Sequence, residues 1–183
     1  ADTWSILSYL FRLNYTLMDK YLLTVSYRAD GSSKFGANNR LGYFPSVALG
    51  WNLTGESFMK GQTAFSRLKL RGSWGQVGNE KIGTFRYSPL VTSNLNVIFG
   101  PGETLDNVQN GAAVLNLANP DLRWEETTQI DFGVEFGLFD NRLSAEIDYY
   151  SRTTNDILAA VPIPDYIGSE QNPVVNAAEM RNS

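Results

Sequence analysis

The chain has 183 residues, with 16 Gly, 16 Asn, no Cys and no His, and only 19% of it is charged, against roughly 25% in an ordinary soluble domain. The missing Cys excludes a disulfide framework, a zinc knuckle and a thiol nucleophile, and the missing His excludes a Ser-His-Asp triad and any side chain that titrates unperturbed near neutrality. A net charge of −4 and a pI of about 4.8 argue against a nucleic-acid partner.

Apolar residues recur with a period of two, the signature of strands. From Leu7 to Leu17 the odd positions are Leu, Tyr, Phe, Leu, Tyr and Leu, while the even positions are mostly polar. Met18–Lys20 forms a short connection, after which Tyr21, Leu23, Val25 and Tyr27 continue the apolar face. Residues 28–43 are Gly- and Asn-rich and read as a loop. A third strand puts Val47, Leu49, Trp51 and Leu53 on one face. A connection over 54–67 leads to a fourth, where Leu68, Leu70 and Trp74 alternate with Lys69, Arg71 and Ser73. Residues 77–128 then read as one long loop, which inside a domain is usually functional. A hairpin follows. Ile130, Phe132, Val134, Phe136 and Leu138 face Tyr149, Ile147, Ala145 and Leu143 if Asp140-Asn141 makes a two-residue turn of positive φ. Partner numbers then sum to 281. A slip of one residue would break every apolar pair. The tail from Thr153, with Pro162, Pro164 and Pro173, reads as another loop. Six strands are expected.

Two architectures use such strands: a soluble sandwich and a transmembrane barrel. Three features favour the barrel. Short turns on one side alternate with long loops on the other. Several strands reach about 9–11 residues, enough to cross a bilayer at a tilt. Aromatics sit near the strand ends of the apolar face, with Tyr15, Tyr21, Trp51 and Phe136 on the short-turn side and Tyr27, Trp74 and Tyr149 on the other, as in the girdles at membrane–water interfaces. The 54–67 connection is the poorest fit. A soluble carbohydrate-binding β-sandwich is the alternative, and a β-rich hydrolase a more remote one.

The run Asp30–Trp51 (DGSSKFGANNRLGYFPSVALGW) resembles the signature of SusC/RagA-type TonB-linked outer-membrane transporters of Bacteroidetes-like bacteria. ESFMK (Glu56–Lys60), LKLRGSWGQVGNEKIG (Leu68–Gly83), NPDLRWEETTQ (Asn119–Gln129) and FGLFDNRLSAEIDYYSRTTNDIL (Phe136–Leu158) continue the resemblance in the family's order. It implies an all-β fold, an antiparallel transmembrane barrel of roughly 22 strands with long extracellular loops and a plugged lumen. About six of those strands would lie in this chain. Residues 1–183 would be a fragment of the barrel's later part, without the plug domain or the barrel-closing strands; the absence of a basic leader and of a completed last element fits that expectation. The implied role is import of oligosaccharides or oligopeptides. The implied partners are a SusD-like surface lipoprotein as lid, TonB with its inner-membrane motor, and outer-membrane lipid. No cofactor is implied.

No catalytic or metal constellation is found. Glu125 and Glu126 are adjacent and point opposite ways in an extended chain, unlike a glycosidase pair. Asp30-Gly31-Ser32 resembles the start of a calcium loop, but Leu41 stands where the twelfth-position acid belongs. Gly72, Gly75 and Gly78 lack the Lys-Ser/Thr of a phosphate loop. The 281 register puts Glu135 opposite Glu146, which is unfavourable unless a cation intervenes. Lys69 and Arg71 share that face. A lumenal cluster of Lys69, Arg71, Glu135 and Glu146 is therefore expected, bracing the wall or docking the plug. In the loops, Tyr43, Phe44, Phe85, Tyr87, Phe99 and Trp124 are the aromatic candidates for substrate contact.

Overall fold

The computed structural model describes residues 3–98, 108–114, 117–164, 166 and 172–183. Among the described residues nine strands are formed: β1 (Ile6–Leu17), β2 (Tyr21–Ser32), β3 (Leu41–Asn52), β4 (Phe65–Asn79), β5 (Val91–Ile98), β6 (Val108–Val114), β7 (Glu125–Leu138), β8 (Leu143–Ala160) and β9 (Val174–Asn182). Seven make one antiparallel sheet in the order β1-β2-β3-β4-β7-β8-β9, and β5 and β6 pair as a separate hairpin. The main sheet does not close on itself.

Period-two patterning fixes its register. Leu13 meets Val25, Val25 meets Val47, Val47 meets Trp74, and Trp74 meets Ile130. Further along, Phe132 pairs with Tyr149 and Val134 with Ile147. One apolar face therefore runs unbroken across six strands. Its large side chains, among them Phe11, Leu49, Phe132 and Ile147, are exposed. No second sheet of the described residues packs against them, which a sandwich would require.

The hairpin between β7 and β8 has the register expected from its turn, with Leu138 opposite Leu143 and Glu135 opposite Glu146. Phe139, Asp140 and Asn141 take φ of 54°, 56° and 61°, and Arg142 N–H donates to Phe139 O at 3.1 Å. The first turn uses the same device, with Met18 and Asp19 at positive φ. The tight turns 18–20 and 139–142 lie with the 53–64 connection at one end of the main sheet, called the lower end here; 33–40, which is shorter than 53–64, and the two longest connections, 80–124 and 161–173, lie at the other.

The strands are longer and more numerous than the apolar alternation suggests. β4 and β8 have 15 and 18 residues, well beyond the 9–11 needed for a crossing. The expected 77–128 loop contains the end of β4, the β5–β6 hairpin and the start of β7; the expected tail contains the end of β8 and all of β9. These additions carry little apolar alternation. Glu125–Gln129 (EETTQ), for example, is polar on both faces. Ladder pairing of the backbone holds such a segment, and it needs no greasy side where it extends past the apolar band. In the other direction, Leu53 leaves the sheet and begins a short 3-10 turn (Leu53–Gly55).

Candidate functional site

Two polar-face constellations stand out among the described residues, with an aromatic core above them. The lower constellation spans β4, β7 and β8. Arg71 Nη1 lies 3.3 Å from Glu135 Oε1, and its Nη2 lies 2.6 Å from Asp148 Oδ2 and bonds Glu146. Arg67 pairs with Glu135, and Lys69 Nζ lies 3.5 Å from the same carboxylate. Three cations thus face three carboxylates, and the Glu135–Glu146 opposition is relieved by the guanidinium beside it.

Arg71 and Asp148 are not on neighbouring strands. Gly133 of β7 lies between them, paired with Arg71 on one side and Asp148 on the other. A Cβ at Gly133 would overlap both side chains. Glycine therefore lets the bridge pass over the intervening strand. Lys69, Arg71, Glu135 and Glu146 are brought together; Arg67 and Asp148 join them. Above this group the ladder continues through Ser73–Asp131 at 2.9 Å, Gln129–Asp131 at 2.7 Å and Arg152–Gln129 at 2.8 Å.

The upper constellation is a cavity of about 570 Å³ lined by residues including Arg12, Ser26, Arg28, Asp30, Glu80 and Trp124. Two members of the small buried core of Phe35, Phe44, Leu122 and Trp124, Phe44 and Trp124, also line it. Trp124 packs its ring 5.2 Å from Phe35 and edge-on at 5.5 Å to Phe44. Its indole N–H donates to Arg40 O at 3.1 Å. Room for the Phe44 ring comes from Gly42 and Gly78, where any Cβ would collide with it. Asn176 of β9 locks the segment before β7 in place: its Nδ2 donates to Arg123 O at 2.9 Å and Asp156 O at 2.8 Å, and its Oδ1 accepts Arg123 N–H at 3.1 Å. The loops after β2 and before β7 are thus pinned to the wall.

The aromatic candidates for substrate contact separate accordingly. Phe44 and Trp124 are only 5% and 4% exposed and sit in the buried core, though both also line the upper cavity. Tyr43 is not in a loop. It belongs to β3 on the apolar face, its ring stacked on Tyr27 at 6.2 Å. This follows from strand parity, since Tyr43 shares its face with Val47, Leu49 and Trp51. Phe85 is exposed at a tight turn with φ 59°, and Tyr87 is half-buried beside Gly36. Phe99 lies outside the described residues.

At the lower end, Tyr21 and Trp51 stack at 6.2 Å, some 20 Å along β2 from Tyr27 at about 3.4 Å per residue. Glu56, in the connection after β3, accepts from Tyr21 Oη at 2.6 Å, Trp51 Nε1 at 3.1 Å and Lys20 Nζ at 3.2 Å. These donors, the Tyr21 hydroxyl foremost, hold its carboxyl below the ordinary glutamate range.

One exposed apolar face edged by two stacked aromatic pairs, one polar face carrying ion pairs, and two tight turns at the end opposite the longest connections define a section of transmembrane-type β-barrel wall. The family model "TonB dependent receptor-like, beta-barrel" matches residues 1–183, and the chain belongs to that family. It is 42% identical over 168 residues to TonB-dependent receptor P39 of Formosa agariphila, covering 92% of this chain and 15% of that protein. It is 42% identical over 162 residues to TonB-dependent receptor SusC of Bacteroides thetaiotaomicron, covering 87% and 16%. Solved structures of the RagAB peptide importer match in its "closed-closed" and "open-open" states with TM-scores of 0.82 and 0.81, each at 36% identity, covering 97% of this chain and 18% of that one. The chain thus spans about a sixth of the length of these relatives.

Proposed function

We propose that the chain is a wall section of an outer-membrane importer that takes up oligosaccharides or oligopeptides. The apolar face meets lipid, the polar face lines the lumen, and the long-loop end faces outward. The observation that carries this reading is the unbroken exposed apolar face over six strands opposite a face of ion pairs. In water such a face is a liability; in a bilayer it is the surface required. The similarity to SusC and to the RagAB importer supports a SusD-like surface lipoprotein as lid. The family supports TonB and its inner-membrane motor as the energy source.

In this role the Arg71 cluster braces the wall. Its charges are balanced within the sheet, so it needs no counter-charge from a plug. The near-equal match to both states of the RagAB importer fits a wall that stays fixed while lid and plug move. The test is fractionation and uptake with the full-length receptor. It should sediment with the outer membrane, co-purify with a surface lipoprotein, and be required for uptake of an oligosaccharide or oligopeptide. Recovery in the soluble fraction would refute the proposal.

A further inference from the structure

Two exposed arginines line the upper cavity on the polar face. Arg12 of β1 and Arg28 of β2 are diagonal neighbours, since Arg28 pairs with Leu10 and Arg12 with Ser26. Each is held through Nε alone: Arg12 to Ser26 Oγ at 3.2 Å, Arg28 to Asp30 Oδ1 at 2.7 Å. Ser26 and Asp30 are themselves buried, so both anchors are firm. Among the described residues, nothing pairs with the terminal nitrogens of either guanidinium. This contrasts with Arg71, whose terminal nitrogens bond Glu135, Glu146 and Asp148.

A guanidinium held at Nε keeps its plane and offers the outer nitrogens as a fork, the geometry that matches a carboxylate or sulfate. The same cavity contains an acceptor without a donor. Glu80 pairs through Oε1 with Lys34 Nζ at 3.5 Å, while its Oε2 is buried with no hydrogen-bond partner among the described residues. A buried carboxylate oxygen left in that state is costly. That oxygen has no exposed surface, so what the cavity presents is the two open cationic forks.

We propose that this cavity is a binding subsite for an acidic group of the imported molecule. The charge enters the Arg12 and Arg28 forks. A uronate unit of a glycan and the C-terminal residue of a peptide both present this chemistry. The proposal rests on the reading that the polar face lines the lumen.

The test uses the full-length receptor in detergent, titrated with two matched pairs: trigalacturonate against maltotriose, and trialanine against trialanine amide. The acidic member of at least one pair should bind roughly ten-fold more tightly than its neutral partner, and R12Q/R28Q should erase that preference without weakening the neutral ligand. Which pair responds distinguishes a glycan from a peptide source. Absence of any preference, or a preference that survives R12Q/R28Q, would overturn the proposal. A double variant that melts lower without ligand, with ligand preference unchanged, would assign the forks to a carboxylate of the receptor itself and would also overturn it. A separate arm isolates the underlying reading. Ser8 lines the same cavity, and S8C should react from outside with a membrane-impermeant maleimide. If S8C is labelled and no acidic preference is seen, only the subsite fails; if S8C is not labelled, the lumenal reading fails with it.

Discussion

Phe44→Ala is the perturbation that most sharply tests how the outward loops are held. Phe44 is 5% exposed, meets Trp124 edge-on, and fills the slot left by Gly42 and Gly78. Truncating a buried Phe costs about 3–5 kcal/mol. Here the loss falls on the loops rather than on the ladder, because the backbone pairing of β3 with β2 does not depend on the ring. The lower bound of about 3 kcal/mol corresponds to roughly two decades in a local opening equilibrium. Hydrogen exchange on the full-length receptor reads this directly. The Ser32 amide donates to Arg40 O at 3.0 Å and the Leu122 amide to Asn119 O at 3.4 Å; both should exchange about 100-fold faster in F44A. Amides of the lower turns, such as Lys20 bonded to Leu17 O at 3.0 Å, should not change. Phe11→Ala, on the exposed apolar face, is the control and should leave the loops unaffected. If Ser32 and Leu122 in F44A exchange within about three-fold of the parent rate, the core does not hold the loops and the reasoning is wrong.

Three further outcomes are expected. Gly133→Ala should displace the Arg71–Asp148 bridge, so its thermal destabilisation should match that of Asp148→Ala and the two should not add; full additivity in melting temperatures would show the bridge does not cross that glycine. Glu56 has a lowered folded-state pKa, so its stabilisation is fully present above the ordinary glutamate pKa and is lost as pH falls through the lowered folded value. Acidification should therefore change Trp51 fluorescence and free the Asn52 amide, which donates to Lys20 O at 2.7 Å; E56Q should remove that pH dependence, and an unchanged acid transition in E56Q would contradict the assignment. Asn176→Ala should release Arg123 and the segment before β7 while leaving the β7–β8 hairpin intact, read as protease cleavage confined to residues 117–124.

The parts legible in the sequence were those where one physical rule acts alone. In the β7–β8 hairpin, turn length and alternation together fix the register, and the juxtaposition of Glu135 and Glu146 with Lys69 and Arg71 followed from it. Asp148 is available from the same arithmetic, opposite Gly133, but a bridge reaching over a strand becomes visible only when the glycine's missing side chain is considered. The expected polar loop at 77–128 and the expected tail hid real strands. Past the apolar band, neither face of a strand needs hydrophobic residues, so alternation fades while backbone pairing continues. The aromatic candidates diverged for a related reason. Ring type does not reveal whether a ring lies on the exposed apolar face, as Tyr43 does, or packs in the buried core, as Phe44 and Trp124 do. The glycines at 42 and 78, spaced to receive a ring, were the available sign of that core.

In the proposed wall, the two faces of one sheet meet two solvents. Spin labels placed singly along β2 and β3 of the full-length receptor in outer membrane test it most directly. Labels at Leu23, Val25, Val47 and Leu49 should be accessible to oxygen and shielded from a water-soluble nickel chelate. Labels at Thr24 and Ala48 should show the reverse, so that accessibility alternates with a period of two. Uniform access of the chelate to both sets would contradict the account.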